Sequence, residues 1–175
     1  MSMYPISSTI LTSSTGQVNL TVPQNFTHLQ LRCFVRSDRA AVSDNIYFRL
    51  NGDTGSNYTF HYFDGNGSTS SSSGATGQTV MLGAVTSANA PAGIYATNIV
   101  DILDYTSTVK NKVIRNLSGY ETNSAGQIAQ WSGMWIGSAG LAAVTQINIY
   151  SNIGLFIAGT RFDLYGISNS PATGA

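Results

Sequence analysis

The segment NGDTGSN, residues 51–57, sets the side-chain oxygens of Asn51, Asp53 and Asn57 at short intervals between glycines. Alternating Asp or Asn ligands open a calcium loop, which is closed by a bidentate acid at its twelfth position. That position is Tyr62 here. With one carboxylate the segment would hold calcium weakly, so the preferred reading is a hairpin turn in which Gly52 or Gly55 takes a positive φ. The DGNG segment at 64–67 is read the same way.

Proton-transfer chemistry needs positioned acids and bases. The chain has two histidines, His28 and His61, each within or beside a strand-like pattern. Glu121 is the only Glu, and the seven Asp are scattered. Asp101 and Asp104 are expected on opposite faces of one strand, a poor arrangement for flanking a substrate. Neither a nucleophile-elbow pentapeptide nor a metal-binding His-Glu helix occurs. The expectation is a protein without catalytic residues, metal or cofactor.

Aromatic residues offer a different chemistry. Tyr58, Phe60 and Tyr62 alternate, and Trp131 and Trp135 lie four apart. Rings on one face can stack on sugars, or fill a core or a subunit interface. Packing is the favoured reading. Tyr58, Tyr62, Trp131 and Trp135 stand as the alternative, a glycan-binding set.

These side chains must be held by strands. Period-two alternation of β-branched, aromatic and aliphatic residues marks 17–22, 28–36, 45–50, 57–63, 79–85, 94–103, 111–120, 128–137, 144–150 and 161–167. Helical signals are poor; only GSAGLAAVTQI clusters alanines, and Gly140 undercuts it. About ten strands punctuated by Gly, Asn, Asp and Ser predict an all-β protein, a single-domain, jelly-roll-like antiparallel β-sandwich. The expected organisation is an N-terminal arm over 1–15, a sandwich over 16–167 and a flexible tail over 168–175. DGNGSTSSSSGATGQ, 64–78, has few side chains worth the entropy of ordering them and reads as a long loop. Cys33 alternates with Leu29, Leu31 and Val35 and reads as a small buried hydrophobe.

Composition narrows the partners. Charged residues are 9% of the chain and the formal net charge is zero, so the basic stripe that nucleic acid requires is missing. No apolar run approaches a membrane span, and MSMYPISSTI lacks the pattern of a secretory signal. Partners are therefore expected to exclude nucleic acid and membrane. A neutral surface rich in Ser, Thr and Asn suits life inside an assembly.

The C-terminal residues carry a resemblance. VTQINIYSNIGLFIAGTRFDLYGI, 144–167, resembles the closing strand pair of a group of tailed-bacteriophage virion proteins, in which F-x-A-G-[ST]-x-F-x-L-Y-G-I follows an Asn/Gly loop. Residues 28–67 are similar to a second segment of those proteins, so the resemblance covers about half the chain. It implies a jelly-roll-like fold and a structural role: a capsid decoration (cement) protein on the virion surface, made in the host bacterial cytoplasm. Its implied partners are the major capsid protein and, as a homotrimer, copies of itself. A receptor-binding or head or tail fibre module recognising host surface glycan is the alternative. The chain has no collagen-like, coiled-coil or β-helical stalk, which favours decoration over fibre. Tyr4, Pro5 and Ile6 of the arm are expected to meet the capsid. Within the motif, Phe162 and Leu164 should face inward, while Arg161 and Asp163 pair on the other face of an interior strand.

Overall fold

Strand β1 (Ser2–Ile10) opens a chain of twelve strands: β2 (Gln17–Thr21), β3 (His28–Val35), β4 (Ser43–Leu50), β5 (Tyr58–Gly65), β6 (Ser70–Gln78), β7 (Met81–Thr86), β8 (Ala96–Leu103), β9 (Lys112–Glu121), β10 (Gly126–Trp135), β11 (Gln146–Ser151) and β12 (Arg161–Ser168). A four-residue helix, α1 (Gly137–Gly140), precedes β11. The computed structural model describes residues 2–123 and 125–168. The expected tail beyond Ser168 lies outside the described residues, and Ser168 itself ends β12.

The strands form an eight-stranded sheet, β1-β12-β3-β8-β9-β10-β5-β6, and a four-stranded sheet, β2-β11-β4-β7. All named pairings are antiparallel. Pairing is nested: β5 with β6, β4 with β7, β3 with β8 and β2 with β11. A ribbon that pairs in this way while alternating between sheets is a jelly roll. The meander β8-β9-β10 fills the place of one strand, and β12 and β1 extend the large sheet beyond β3.

The core follows from the alternation. Leu29, Leu31, Cys33 and Val35 point inward from β3, and Ile46, Phe48 and Leu50 from β4. Phe162 and Leu164 are fully buried on β12, which lies between β1 and β3 and so is interior. Cys33 packs opposite Phe162 as a buried free thiol, and burial raises its pKa. Gly159 turns the chain into β12 at φ 88°, a conformation that glycine adopts without cost.

Three expectations need correction. The arm over 1–15 is not free: Ser2–Ile10 is an edge strand on β12. Pro5 concealed it, because proline removes a ladder donor. At an edge that loss is tolerated, and the register shifts between Pro5 and Ser7. Tyr4 packs near Phe26 (5.9 Å between ring centroids), Ile6 packs against the core and Pro5 is exposed. The loop over 64–78 is also a strand for most of its length, Ser70–Gln78 on β5. An edge strand needs backbone pairing more than buried side chains. Gly74 is small because the His61 ring lies over it. Third, the turn at 51–57 does take a positive φ at Gly52 (φ 68°), as expected, with Asn51 (φ 54°) beside it, but its hairpin assignment fails. It carries the chain from β4 to β5 in the other sheet, so it is not a hairpin.

The smaller sheet ends at β7, beside whose outer edge no named strand lies among the described residues; only Arg36 and Ser37 bridge it, at Thr86. Side chains from the large sheet satisfy that edge. Asn98 Nδ2 donates to the Ala84 carbonyl (2.8 Å), and the Ala84 N–H donates to Asn98 Oδ1 (3.2 Å). Asn116 Nδ2 donates to the Leu82 carbonyl (3.1 Å) and to Asn98 Oδ1 (3.0 Å). Gly83 leaves room for this pair; a Cβ there would collide with both amides. Elsewhere Lys112, fully buried, donates to the carbonyls of Ser107, Lys110 and Gly140.

Candidate functional site: a cleft beside the smaller sheet and an apolar outer face

The aromatic set divides in two. Tyr58 and Trp135 are buried and stacked, with centroids 6.4 Å apart. Trp135 Nε1 donates to Asp53 (2.6 Å), and the Tyr58 hydroxyl accepts the Leu50 N–H (2.9 Å). Both are core, which removes them from the glycan-binding set. Tyr62 and Trp131 stack at 4.2 Å, and Phe60 meets Trp131 edge-on at 5.3 Å. These three line a cleft of about 440 Å³. Unequal sheet widths create it: β5 and β6 continue the large sheet past the smaller sheet's edge at β7. Asp64 and Gln127 add polar groups. Gln127 Nε2 donates to Asp64 Oδ2 (2.9 Å), and the Ser71 hydroxyl donates to Asp64 Oδ1. Sequence reasoning missed Asp64 and Ser71 because their segment read as a loop.

The Asn51, Asp53 and Asn57 group has turned inward to protein partners. Asp53 accepts from Trp135, from Asn57 Nδ2 (2.9 Å) and from the Gly55 N–H (2.8 Å). Burial would raise the Asp53 pKa, but these donors lower it overall. Asn51 Oδ1 accepts the N–H groups of Thr145 (2.8 Å) and Gln146 (3.2 Å). The segment locks the β4–β5 crossing to β11. Among the described residues no three His, Cys, Asp or Glu side chains gather as a metal site.

The histidines stand apart. His28 Nδ1 accepts the Asp104 N–H (2.9 Å), whereas His61 is exposed on the outer face. Asp101 and Asp104 do not share a strand. Asp101 lies in β8 and accepts from Gln30 (2.9 Å). Asp104 lies in the following turn at φ 49° and pairs with Lys110 (2.8 Å). Arg161 and Asp163 pair as expected: Arg161 Nε lies 2.8 Å from Asp163 Oδ2, and the Ser8 hydroxyl donates to Oδ1 (2.6 Å).

The outer face of the large sheet carries a second feature that the strand-by-strand reading missed. Phe34, Ile99, Leu117, Ile128 and Phe63 project from β3, β8, β9, β10 and β5, and all are exposed. Ile99 lies opposite Leu117, and Gln130 lies opposite both Leu117 and Phe63. The other steps are diagonal, within reach of large side chains. The five form one apolar strip across five strands. Gly119 and Gly65, on either side of Ile128, keep the surface low there. The five come from five different strands, and only the register brings them side by side.

Searches of family models, curated proteins and solved structures found no match to this chain.

Proposed function

We propose that the protein is a non-enzymatic structural protein of a tailed-phage virion, a capsid decoration protein that docks across boundaries of the major capsid protein and stabilises the head. The observation that carries this reading is the apolar strip on the outer face of the large sheet. Its five side chains expose on the order of 500 Å², at the upper range of patches found on ordinary monomers, and such patches mark interaction sites. A rigid sandwich with a neutral surface presents that face without adjusting its backbone. The resemblance of 144–167 to virion proteins points the same way. A protein that binds only the assembled head shifts the equilibrium towards assembly, and many copies act as a multivalent clamp. In this reading the protein docks as a homotrimer, a closed symmetry suited to junctions between subunits.

The test is co-sedimentation with mature heads of the phage that encodes it. Binding at micromolar concentration is expected, as is its loss in Leu117→Asp and Ile128→Asp with circular dichroism unchanged. Absence of binding by the wild type, or full binding by both folded variants, would overturn the proposal. A second reading is a receptor-binding or fibre module that recognises host glycan; the stacked Tyr62 and Trp131 in the cleft favour it.

A further inference from the structure

The cleft beside β7 has a composition that selects among ligands. Its floor is the Tyr62–Trp131 stack, and its polar groups are the amides of Asn45 and Gln127, hydroxyls and one carboxylate. Among the described residues its lining includes no Lys, Arg or His. Asp64 is the only charged group lining it among the described residues, so an anionic ligand meets repulsion without compensation. A neutral ligand with hydroxyls around an apolar ring face meets an aromatic plane and fixed acceptors.

A second observation lies behind the floor. Among the described residues, the buried side-chain polar atoms without a partner are Trp131 Nε1, Asn116 Oδ1 and Ser118 Oγ. Asn116 lies directly opposite Trp131, and Ser118 lies two residues further along β9, opposite Ala129. Trp131 is 8% exposed and lines the cleft. Native proteins rarely leave such atoms unpaired. Here they cluster where the large sheet runs past the smaller one. Only Trp131 among them lines the cleft, and the three atoms are themselves shielded, so they mark a polar zone behind the floor that ordered water would satisfy rather than direct contacts for a ligand.

We infer that this cleft binds one ring of a neutral saccharide. The apolar face of the ring lies on Tyr62. Its hydroxyls donate to Asp64, whose oxygens each retain acceptor capacity beyond Ser71 and Gln127, and to the free amide oxygen side of Gln127. Those two hydrogen bonds hold Asp64 in place before ligand arrives, which lowers the ordering cost of binding. The volume, about 440 Å³, falls within the usual range of small-molecule sites. The inference deepens the glycan reading and leaves the decoration role to its own assay.

The experiment uses the full chain on an array of neutral and acidic glycans, followed by calorimetric titration of the best neutral hit. Binding confined to neutral saccharides is expected. Tyr62→Ala should weaken it by about tenfold or more, and Tyr62→Phe by no more than about threefold, since stacking persists. Asp64→Asn should weaken it measurably, with circular dichroism unchanged. A hit that Tyr62→Ala leaves intact would keep glycan recognition and overturn the cleft. Preference for sialylated or uronic glycans would overturn the charge argument. No binding of any saccharide up to about 10 mM, a very weak affinity, would overturn both the cleft and the glycan reading.

Discussion

Replacing Asn98 by Ala tests how the free edge of the smaller sheet is closed. Asn98 is 1% exposed, and its amide makes both hydrogen bonds to the Ala84 backbone. Without it, an N–H and a carbonyl on the outer edge of β7 lose their partners. Ala84 is itself buried, so water does not readily replace them. An orphaned buried group costs about 1–3 kcal/mol, which gives roughly 2–6 kcal/mol for the pair. The lower half of that range is favoured, because Asn116 still holds the Leu82 carbonyl. Against the roughly 5–15 kcal/mol that stabilises a typical domain, this is a large fraction. Equilibrium unfolding in urea, followed by tryptophan fluorescence and circular dichroism, measures it. Gly83→Ala supplies the second arm, since its Cβ would collide with the Asn98 and Asn116 amides. Both substitutions disturb one network, so the double variant should lose less than the two single losses combined. A loss below about 1 kcal/mol for Asn98→Ala, or strict additivity in the cycle, would refute the edge-closing role.

Two further outcomes follow from the packing. Burial would raise the Asp44 pKa, but the N–H groups of Ile153, Asn45 and Gly154 and the Ser151 hydroxyl hold it below the ordinary carboxylate value. Its contribution is therefore complete above the unfolded pKa, near 4, and is lost as pH falls through the lower folded value. The stability gap between wild type and Asp44→Asn should narrow over that acid window in urea titrations; a gap constant from pH 7 to about pH 2 would contradict the assignment. Deleting residues 159–175 removes β12 from between β1 and β3, so the product should not fold. A soluble truncation with native circular dichroism would show that the strand is dispensable.

Strands that are half buried announced themselves, because one buried face imposes period-two alternation. HLQLRCFV became β3 with Leu29, Leu31, Cys33 and Val35 inside, as the pattern required. The two strands missed, β1 and β6, are the edges of the large sheet. Edge strands are held by backbone bonds on one side, and SSSSGATGQ carries almost no side-chain signal of that. The site was half legible. Aromatic alternation marked Tyr58 and Tyr62 equally, yet Tyr58 is fully buried under the core while Tyr62 lies in the cleft.

The sequence alone determined an all-β chain, its inward faces and the pairing of Arg161 with Asp163, since each depends on neighbours within one strand. Tertiary structure decided the unequal widths of the sheets, and with them the cleft. It also decided the register that lines up Phe34, Ile99, Leu117, Ile128 and Phe63 from segments scattered along the chain. Such features depend on which strand lies beside which, and no local pattern encodes that adjacency.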